Sequence, residues 1–409
     1  MDKRIILAVA GAGKTYYICK QLDITKRNLI LTYTKESVEN IKKELRHIHG
    51  NIPSSTTIST FHSFVFRHFI LPYELSIAHQ FNQPSFTSKG ITTFEPPSQL
   101  LAECENKENY TTPFDEQELI LTPDLDPNDS NITSKSKKIV KNNPCYKRKG
   151  VFEHYITKQN KYYSSTISEL ALFVKKDKNL NTDKLIVRAI NRLKIFFDEI
   201  FVDEFQDFRE NDYKLLMEVA DRFPKICLVG DFYQHSVLAD NNSGPPFDKV
   251  DYEKFICNLS DKGFHVDTTT LLKTRRCAPD ICSFVREKLN IQIFPAQNKP
   301  GKIIWVDSSN INEILDRDDI IKLVYNNASK CSFRAMNWSY SKGNTVNAAC
   351  IILTNDLEKI DSYDFVFPSK KEVTKNRLYV ALTRSSGDLY LIKPSLLLSK
   401  DQQSLFEAL

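Results

Sequence analysis

The chain of 409 residues has no stretch long and apolar enough to cross a membrane, which sets aside a helical membrane protein. Its nine cysteines are odd in number and contain no Cys-x-x-Cys pair. That argues against a disulfide framework and for reduced, mostly buried thiols in a cytoplasmic protein. No internal repeat of fixed period is present, and charge of one sign is barely in surplus. With 56 Lys plus Arg against 51 Asp plus Glu, the net charge is +5 and the overall field says little about partners. The 41% hydrophobic content suits soluble globular cores, and the length suits two or three domains.

What is there begins almost at once. Ala8-Val9-Ala10-Gly11-Ala12-Gly13-Lys14-Thr15 follows directly on the apolar run Ile5-Ile6-Leu7. This is the pattern of a P-loop, with Ala8 where glycine is usual. Small residues let backbone N–H groups curl around phosphate oxygens, Lys14 reaches the outer phosphates, and the Thr15 hydroxyl can ligate Mg²⁺. A helix starting near Lys14 adds its positive dipole end. A nucleoside triphosphate is thus placed by Ala10, Gly11, Ala12, Gly13, Lys14 and Thr15. The rival reading is a secretory signal, because Lys3-Arg4 precedes an apolar run over 5–12. That run ends at Lys14 without a credible cleavage site.

Apolar runs and helical patterns alternate along the first seventy residues: a strand over 5–9, a helix from 14, a strand over 29–32 and a helix over 36–48. This is the rhythm of a parallel α/β sheet. Between 73 and 162 it breaks into Ser, Thr, Pro, Asn and charge, read as an irregular insertion. Within it an acid-rich stretch over 103–129 precedes a basic block of Lys135, Lys137, Lys138, Lys141, Lys147, Arg148 and Lys149. The block has two readings, a phosphate-backbone contact or a solvated loop. The α/β rhythm resumes with a helix over 184–197, strands over 200–202 and 226–229 and a helix over 213–220. A second α/β block starts near 271, with helices over 279–289 and 375–382 and strands over 303–306, 350–354 and 389–392.

Ile200-Phe201-Val202-Asp203-Glu204 delivers two carboxylates at a strand's C-terminal end, the edge where open α/β sheets hold ligands. There Asp203 suits Mg²⁺ and Glu204 suits orienting and deprotonating a water. An isolated Asp-Glu pair is as often a helix-capping pair, and the P-loop upstream favours the hydrolytic reading. Val229-Gly230-Asp231-Phe232-Tyr233-Gln234 repeats the geometry one strand on, placing Gln234 to sense the γ-phosphate or the water. Arg276, just before the helix expected at 279, and Arg384, ending Tyr379-Val380-Ala381-Leu382-Thr383-Arg384, can bring positive charge from a second domain.

These pieces, in this order, resemble the superfamily-one helicases of the UvrD/Rep/PcrA type. The likeness runs from the P-loop through Leu31-Thr32-Tyr33-Thr34-Lys35, Thr60-Phe61-His62-Ser63, Val202 to Asp207 and Gly230 to Gln234. It continues with Leu272 to Arg276, Ser341-Lys342-Gly343 and Tyr379 to Arg384. The resemblance implies an α/β protein of two RecA-like P-loop NTPase domains, parallel sheets flanked by helices, with an insertion in the first. The expected division is 1–72 and 163–270 for the first domain, 73–162 for the insertion and 271–409 for the second domain. It implies an ATP hydrolase and DNA helicase using ATP and Mg²⁺; the lack of a membrane-length apolar stretch adds the expectation of no membrane partner. By motif position Lys14, Thr15, Asp203, Glu204, Gln234, Arg276 and Arg384 form the ATPase set, with Gly343 nearby. Thr32, Tyr33, Thr60, Phe61 and His62 face single-stranded DNA, where stacking and hydroxyl contacts suit sequence-independent binding. For Phe61 core packing at a helix start is the competing reading.

The chain also departs from the pattern. Only about seven residues precede the P-loop, so the glutamine motif that reads adenine in these helicases has no counterpart. The family's Arg after the P-loop Thr and Tyr before the Arg276 position are exchanged here as Tyr16 and Arg275, a cation and aromatic pair still able to stack on a base. The acidic residue expected two after Gly343 is Thr345, and the aromatic and Trp expected after Gln234 are missing, leaving Phe232 or Tyr233 to substitute. Roughly fifty residues separate the 279–289 helix from Ser341, too few for the family's large second insertion domain. Two functions fit. One is a single-stranded-DNA-stimulated 3′–5′ motor acting on single-stranded or tailed DNA. The other is a nucleotide- and DNA-sensing subunit that switches a protein partner such as a nuclease, as in small UvrD-like proteins of bacterial anti-phage systems.

Overall fold

The computed structural model describes residues 2–92, 152–157, 159–174, 184–235, 244–368 and 371–397. The acid-rich stretch 103–129 and the basic block of Lys135 to Lys149 lie outside the described residues. The described chain forms two compact units, 1–60 with 196–409, and 61–195.

The first unit holds two large parallel sheets and a small parallel pair, Lys273–Thr274 with Phe294–Pro295. In the first sheet β1 (Asp2–Leu7), β2 (Asn28–Thr32), β3 (Thr56–Thr60), β4 (Glu199–Val202), β5 (Lys225–Gly230) and β6 (His265–Asp267) take the order β3-β2-β4-β5-β1-β6. Every pairing in it is parallel. Ile5, Ile6, Leu29, Ile30, Leu31, Ile200, Val202, Leu228 and Val229 are all fully or almost fully buried. Such continuous apolar strands are what a parallel sheet covered on both faces requires. Helices α1 (Lys14–Gln21), α2 (Lys35–His49), α3 (Glu210–Ala220) and α4 (Tyr252–Asp261) belong to the same half. Thr34 caps α2 by accepting from the N–H of Ser37, and Gly50 ends it at φ 77°.

The second sheet has β7 (Ile303–Trp305), β8 (Ile321–Val324), β9 (Ala335–Asn337), β10 (Ala349–Ile352) and β11 (Leu389–Ile392) in the order β7-β11-β10-β8-β9, again parallel throughout. Helices α5 (Pro279–Leu289) and α6 (Glu372–Leu382) accompany it. One apolar cluster runs from Ile6, Ile30 and Val229 through Ile281 and Val285 to Tyr379, Ile351 and Leu391, so the two sheets share a core. The fold is therefore α/β with two parallel, helix-flanked sheets, as expected.

Register sets the functional edge. Leu7 pairs with Gly230, Leu31 with Val202 and Val202 with Leu228, so Ala8, Asp203 and Asp231 all follow the C-terminal ends of their strands along one edge of the sheet, where Thr32 is the last residue of β2. The strand expected over 5–9 instead spans Asp2–Leu7, because its first half is charged and Lys3 is held by Asp221 at 2.7 Å. Ala8 and Val9 have already turned away, donating to the carbonyls of Gly230 and Leu271.

The second unit, 61–195, is wider than the insertion expected over 73–162. Its described elements include helices Phe61–Val65, Glu74–Gln80 and Ile167–Phe173 and the paired strands Ile91–Thr92 and Tyr162–Tyr163. Rings fill its interior, with Phe81 against Phe152, Tyr155 and Phe173, and Phe86 against Phe152 and Tyr162.

Candidate active site

The loop leaving β1 reaches a shape that only glycine allows at two points. Gly11 has φ 70° and Gly13 φ 85°. A Cβ on Gly11 would come within 2.7 Å of both Arg276 Cβ and Thr274 Oγ1, so the segment 274–276 lies directly against the loop. The N–H of Arg275 donates to the Gly11 carbonyl at 2.9 Å. Ala8 is not among the described residues with positive φ, which is why alanine is tolerated at the loop's first position. Gly13 is the N-cap of α1, and the helix starts at Lys14.

From that helix start two contacts cross to the end of β4. Thr15 Oγ1 donates to Asp203 Oδ2 at 2.7 Å, and Lys14 Nζ lies 3.4 Å from Glu204 Oε1. Asp203 is 1% exposed. Burial and the neighbouring Glu204 raise its pKa, against Lys14 and Thr15, which lower it. Burial also works against the charge on Glu204, but Lys14 and Lys342 outweigh it and keep that carboxylate ionised. For Lys14 burial is opposed by Glu204, Asp231 and Asp203, and the ammonium is held above the ordinary lysine value. Glu204 sits at φ 55°, a left-handed conformation uncommon for a residue with a Cβ.

Glu204 is held by a network. Gln206 donates from Nε2 to Glu204 Oε2, and its Oε1 accepts from the N–H of Asp231 at 2.9 Å. Lys342 pairs with Asp207. The Asp231 carboxylate accepts from Gln234 Nε2 at 2.7 Å, from the N–H of Tyr233 at 3.1 Å and from the Tyr379 hydroxyl at 3.1 Å. The same hydroxyl accepts from the N–H of Ala10 at 2.7 Å.

The loop from Gly11 through Tyr16 lines a cavity of about 410 Å³ with Glu204, Arg275 and Arg276, and Glu44, Lys299, Thr345 and Ser386 complete the lining. A volume of that order suits a small-molecule ligand. Arg275 lies over the Tyr16 ring at 4.8 Å, so the exchanged pair is stacked on itself. Lys299 donates to the Arg275 carbonyl at 2.6 Å. Arg276 donates to the Thr383 carbonyl at 3.1 Å. Asp203, Gln234, Gly343 and Arg384 do not line this cavity.

For Arg384 this departs from the expected phosphate contact. It is 2% exposed and donates to the carbonyls of Val380 at 2.8 Å and of Ser341 and Asn344 at 3.4 Å. Burial, reinforced by Arg276, pulls its pKa down to about 10.

Magnesium fits the oxygen donors. Among the described residues no group of three or more His, Cys, Asp or Glu could hold a metal by itself. One hydroxyl and one carboxylate side by side, Thr15 and Asp203, match a cation that keeps several waters and takes its remaining ligands from substrate phosphates.

The residues expected to face DNA divide. Tyr33 is half-buried, donates to Asp212 at 3.2 Å and sets its ring edge on Phe208. Thr32 is fully buried and its hydroxyl has no partner among the described residues. Thr60 ends β3, and His62 is half-buried in the second unit. Phe61 is 0% exposed beside Phe64, so the core-packing reading holds and its ring offers no face to a base. Phe232 is likewise enclosed by Tyr252, Phe255 and Phe247. Tyr233 is half-buried, stacked on Tyr252 at 5.4 Å.

A family model for the UvrD/REP helicase N-terminal domain matches residues 2–235, more than half of the chain. The chain belongs to this family. The match takes in the P-loop, Asp203, Glu204 and Gln234, whereas Arg276, Tyr379 and Arg384 lie beyond it. Among relatives, the ATP-dependent DNA helicase PcrA of Staphylococcus epidermidis is 22% identical over 241 residues, and that of Staphylococcus aureus 23% over 247. Each alignment covers 56% of this chain and 31% of the relative, so the chain matches about a third of those proteins' length. Two solved structures of Arterivirus nonstructural protein 10 (helicase), one of them with DNA, align over 99% and 98% of this chain and 62% of theirs, at 13% and 14% identity and TM-scores of 0.40 and 0.42.

Sequence reasoning passed over Gln206 and Tyr379, although both stand inside quoted motifs, because their roles arise only from hydrogen bonds made across the fold. Lys299 and Glu44 carry no motif signal at all.

No helix among the described residues is long and apolar enough to cross a membrane.

Proposed function

We propose that this chain is a Mg²⁺-dependent ATPase and DNA motor of the UvrD kind, stimulated by single-stranded DNA and moving 3′ to 5′. The observation that carries this reading is the convergence of Thr15 on Asp203 and of Lys14 on Glu204 at the wall of a cavity that Arg275 and Arg276 also line. Lys14 and the loop N–H groups bind the phosphates, while Thr15 and Asp203 would hold Mg²⁺, which would offset phosphate charge. Glu204 accepts the proton of a water attacking the γ-phosphorus as the bond to the leaving ADP breaks. Lys14 and Lys342 keep the Glu204 carboxylate ionised, the form in which it can accept that proton. Gln234 senses the γ-phosphate through Asp231, to which it is bonded. Arg276 faces the phosphates directly, and Arg384 joins it only when α6 moves, since its guanidinium is engaged by backbone carbonyls. Tyr16 and Arg275 separate to take the base between them, and Gly343 closes near the ribose and phosphates. Thr32, Tyr33 and Thr60 of the first unit and, separately, His62 of the second are the candidates for contact with a DNA strand.

A second reading is favoured by one observation. Residues 290–340 are taken up by the strand Phe294–Pro295, which pairs with Lys273–Thr274, and by β7, the helix Ile311–Asp316, β8 and β9, which leaves no room there for a further inserted domain. This suits a DNA-dependent ATPase subunit that switches a protein partner such as a nuclease. Strand separation on a tailed duplex decides between the two. Unwinding by the purified chain supports the autonomous motor, and DNA-stimulated hydrolysis without unwinding supports the subunit.

A further inference from the structure

The hydrogen bonds around the cavity close into a circuit that the motif roles leave unexplained. The N–H of Ala10 donates to the Tyr379 hydroxyl at 2.7 Å, and that hydroxyl donates to Asp231 at 3.1 Å. The N–H of Asp231 donates to Gln206 at 2.9 Å, and Gln206 donates to Glu204. Glu204 meets Lys14 at 3.4 Å, which returns the path to the loop where it began. Tyr379 is the one member supplied by α6 of the second half, and it is fully buried. A phenylalanine would fill the same space. The hydroxyl is needed only because one donor and one acceptor, both from the nucleotide-binding half, meet there. A buried network satisfied at every member fixes geometry more sharply than its bonds do singly.

We propose that Tyr379 is a positioning residue that sets the orientation of Glu204 through Asp231 and Gln206, making hydrolysis depend on where α6 stands. The proposal rests on the reading of Glu204 as the base. Arg384 leaves the same helix end, so one displacement of α6 would both release the arginine and open the circuit at Tyr379.

The test is steady-state ATP hydrolysis with single-stranded DNA, paired with binding of a non-hydrolysable ATP analogue. Tyr379→Phe should lose roughly tenfold in kcat, the scale of one hydrogen bond to a charged group, with analogue affinity and KM within about twofold of the unmodified chain. Gln206→Leu cuts the circuit at another link and should show the same split. The double variant should lose no more than the worse single one, because both sever one path. A merely structural role for Tyr379 lowers thermal stability without that kcat-specific loss or its non-additivity. Losses that multiply overturn the proposal, as does a Gln206→Leu chain with unmodified turnover, even should Tyr379→Phe not fold. An unmodified chain that hydrolyses no ATP overturns the underlying reading and the proposal with it. Unmodified turnover alongside a Tyr379→Phe chain of equal kcat overturns the proposal alone.

Discussion

Thr15 donates its hydroxyl to Asp203 at 2.7 Å, tying the end of the P-loop to the end of β4. The pairing brings two oxygen ligands together before any cation is considered. Replacing either oxygen should therefore act on metal use first. Thr15→Val should raise the Mg²⁺ concentration for half-maximal hydrolysis by roughly tenfold or more, the scale of losing one ligand or its support. A Mg²⁺ titration of ATPase rate reads it directly, and an unchanged midpoint removes Thr15 from the metal site.

Lys14 and Glu204 face each other at 3.4 Å but act at different steps. Lys14→Ala removes the charge that meets the outer phosphates and should weaken triphosphate binding by tenfold or more, about 1.4 kcal/mol. Glu204→Gln keeps the shape, loses the base, and should bind ATP while hydrolysing it at about a hundredth of the rate or less. Nucleotide binding measured for both variants checks the split. Equal losses of affinity contradict the two roles.

Phe61 was expected to face DNA and is instead fully buried against Phe64. Phe61→Ala should cost about 3–5 kcal/mol of stability, as a large-to-small change in a packed core does. Phe61→Leu should retain DNA affinity within about twofold while lowering the unfolding midpoint. A Phe61→Leu chain of full stability that no longer binds DNA would return the ring to the interface.

His235 lies flat against Phe247 at 4.6 Å and its ring is bonded to the Phe232 carbonyl. Burial, with Arg209 and Lys342 nearby, lowers its pKa to about 4 against the pull of that carbonyl. The folded value lies below the unfolded one, so the neutral ring's stabilisation is complete above the unfolded pKa. It is lost as pH falls from there toward about 4, because only the unfolded chain takes up the proton. His235→Phe keeps the stack and should flatten the dependence of the unfolding midpoint between pH 7 and 5. A slope equal to that of the unmodified chain contradicts the assignment.

The sequence disclosed the chemistry more readily than the frame around it. The P-loop, Asp203, Glu204 and Arg276 were legible as a pattern because phosphate and metal chemistry restricts residue type and spacing; the loop, Glu204 and Arg276 line one cavity, and Asp203 stands behind it, bonded to Thr15. Strands β4, β5 and β11 were legible as apolar runs. Strand β3, reading Thr-Thr-Ile-Ser-Thr, was not, since its pleated fit comes from β-branched polar residues with a single strongly apolar side chain. Strands β6 and β9, three residues each, are too short to show a period, and Lys322 interrupts the apolar run of β8. Gln206 and Tyr379 stood inside recognised motifs yet gave no sign of their bonds, which depend on the parallel register that sets Asp203 and Asp231 at one edge. Phe61 was left between two readings and Phe232 was offered as a base-stacking substitute, because exposure, which decides between stacking on a base and packing in a core, is a property of the fold.

The most direct test of the central claim is the steady-state rate of ATP hydrolysis by the purified chain, with and without single-stranded DNA, set beside the Glu204→Gln chain. Hydrolysis that rises severalfold with DNA and disappears in Glu204→Gln is the predicted result. A rate indifferent to DNA, or one that Glu204→Gln leaves intact, contradicts it.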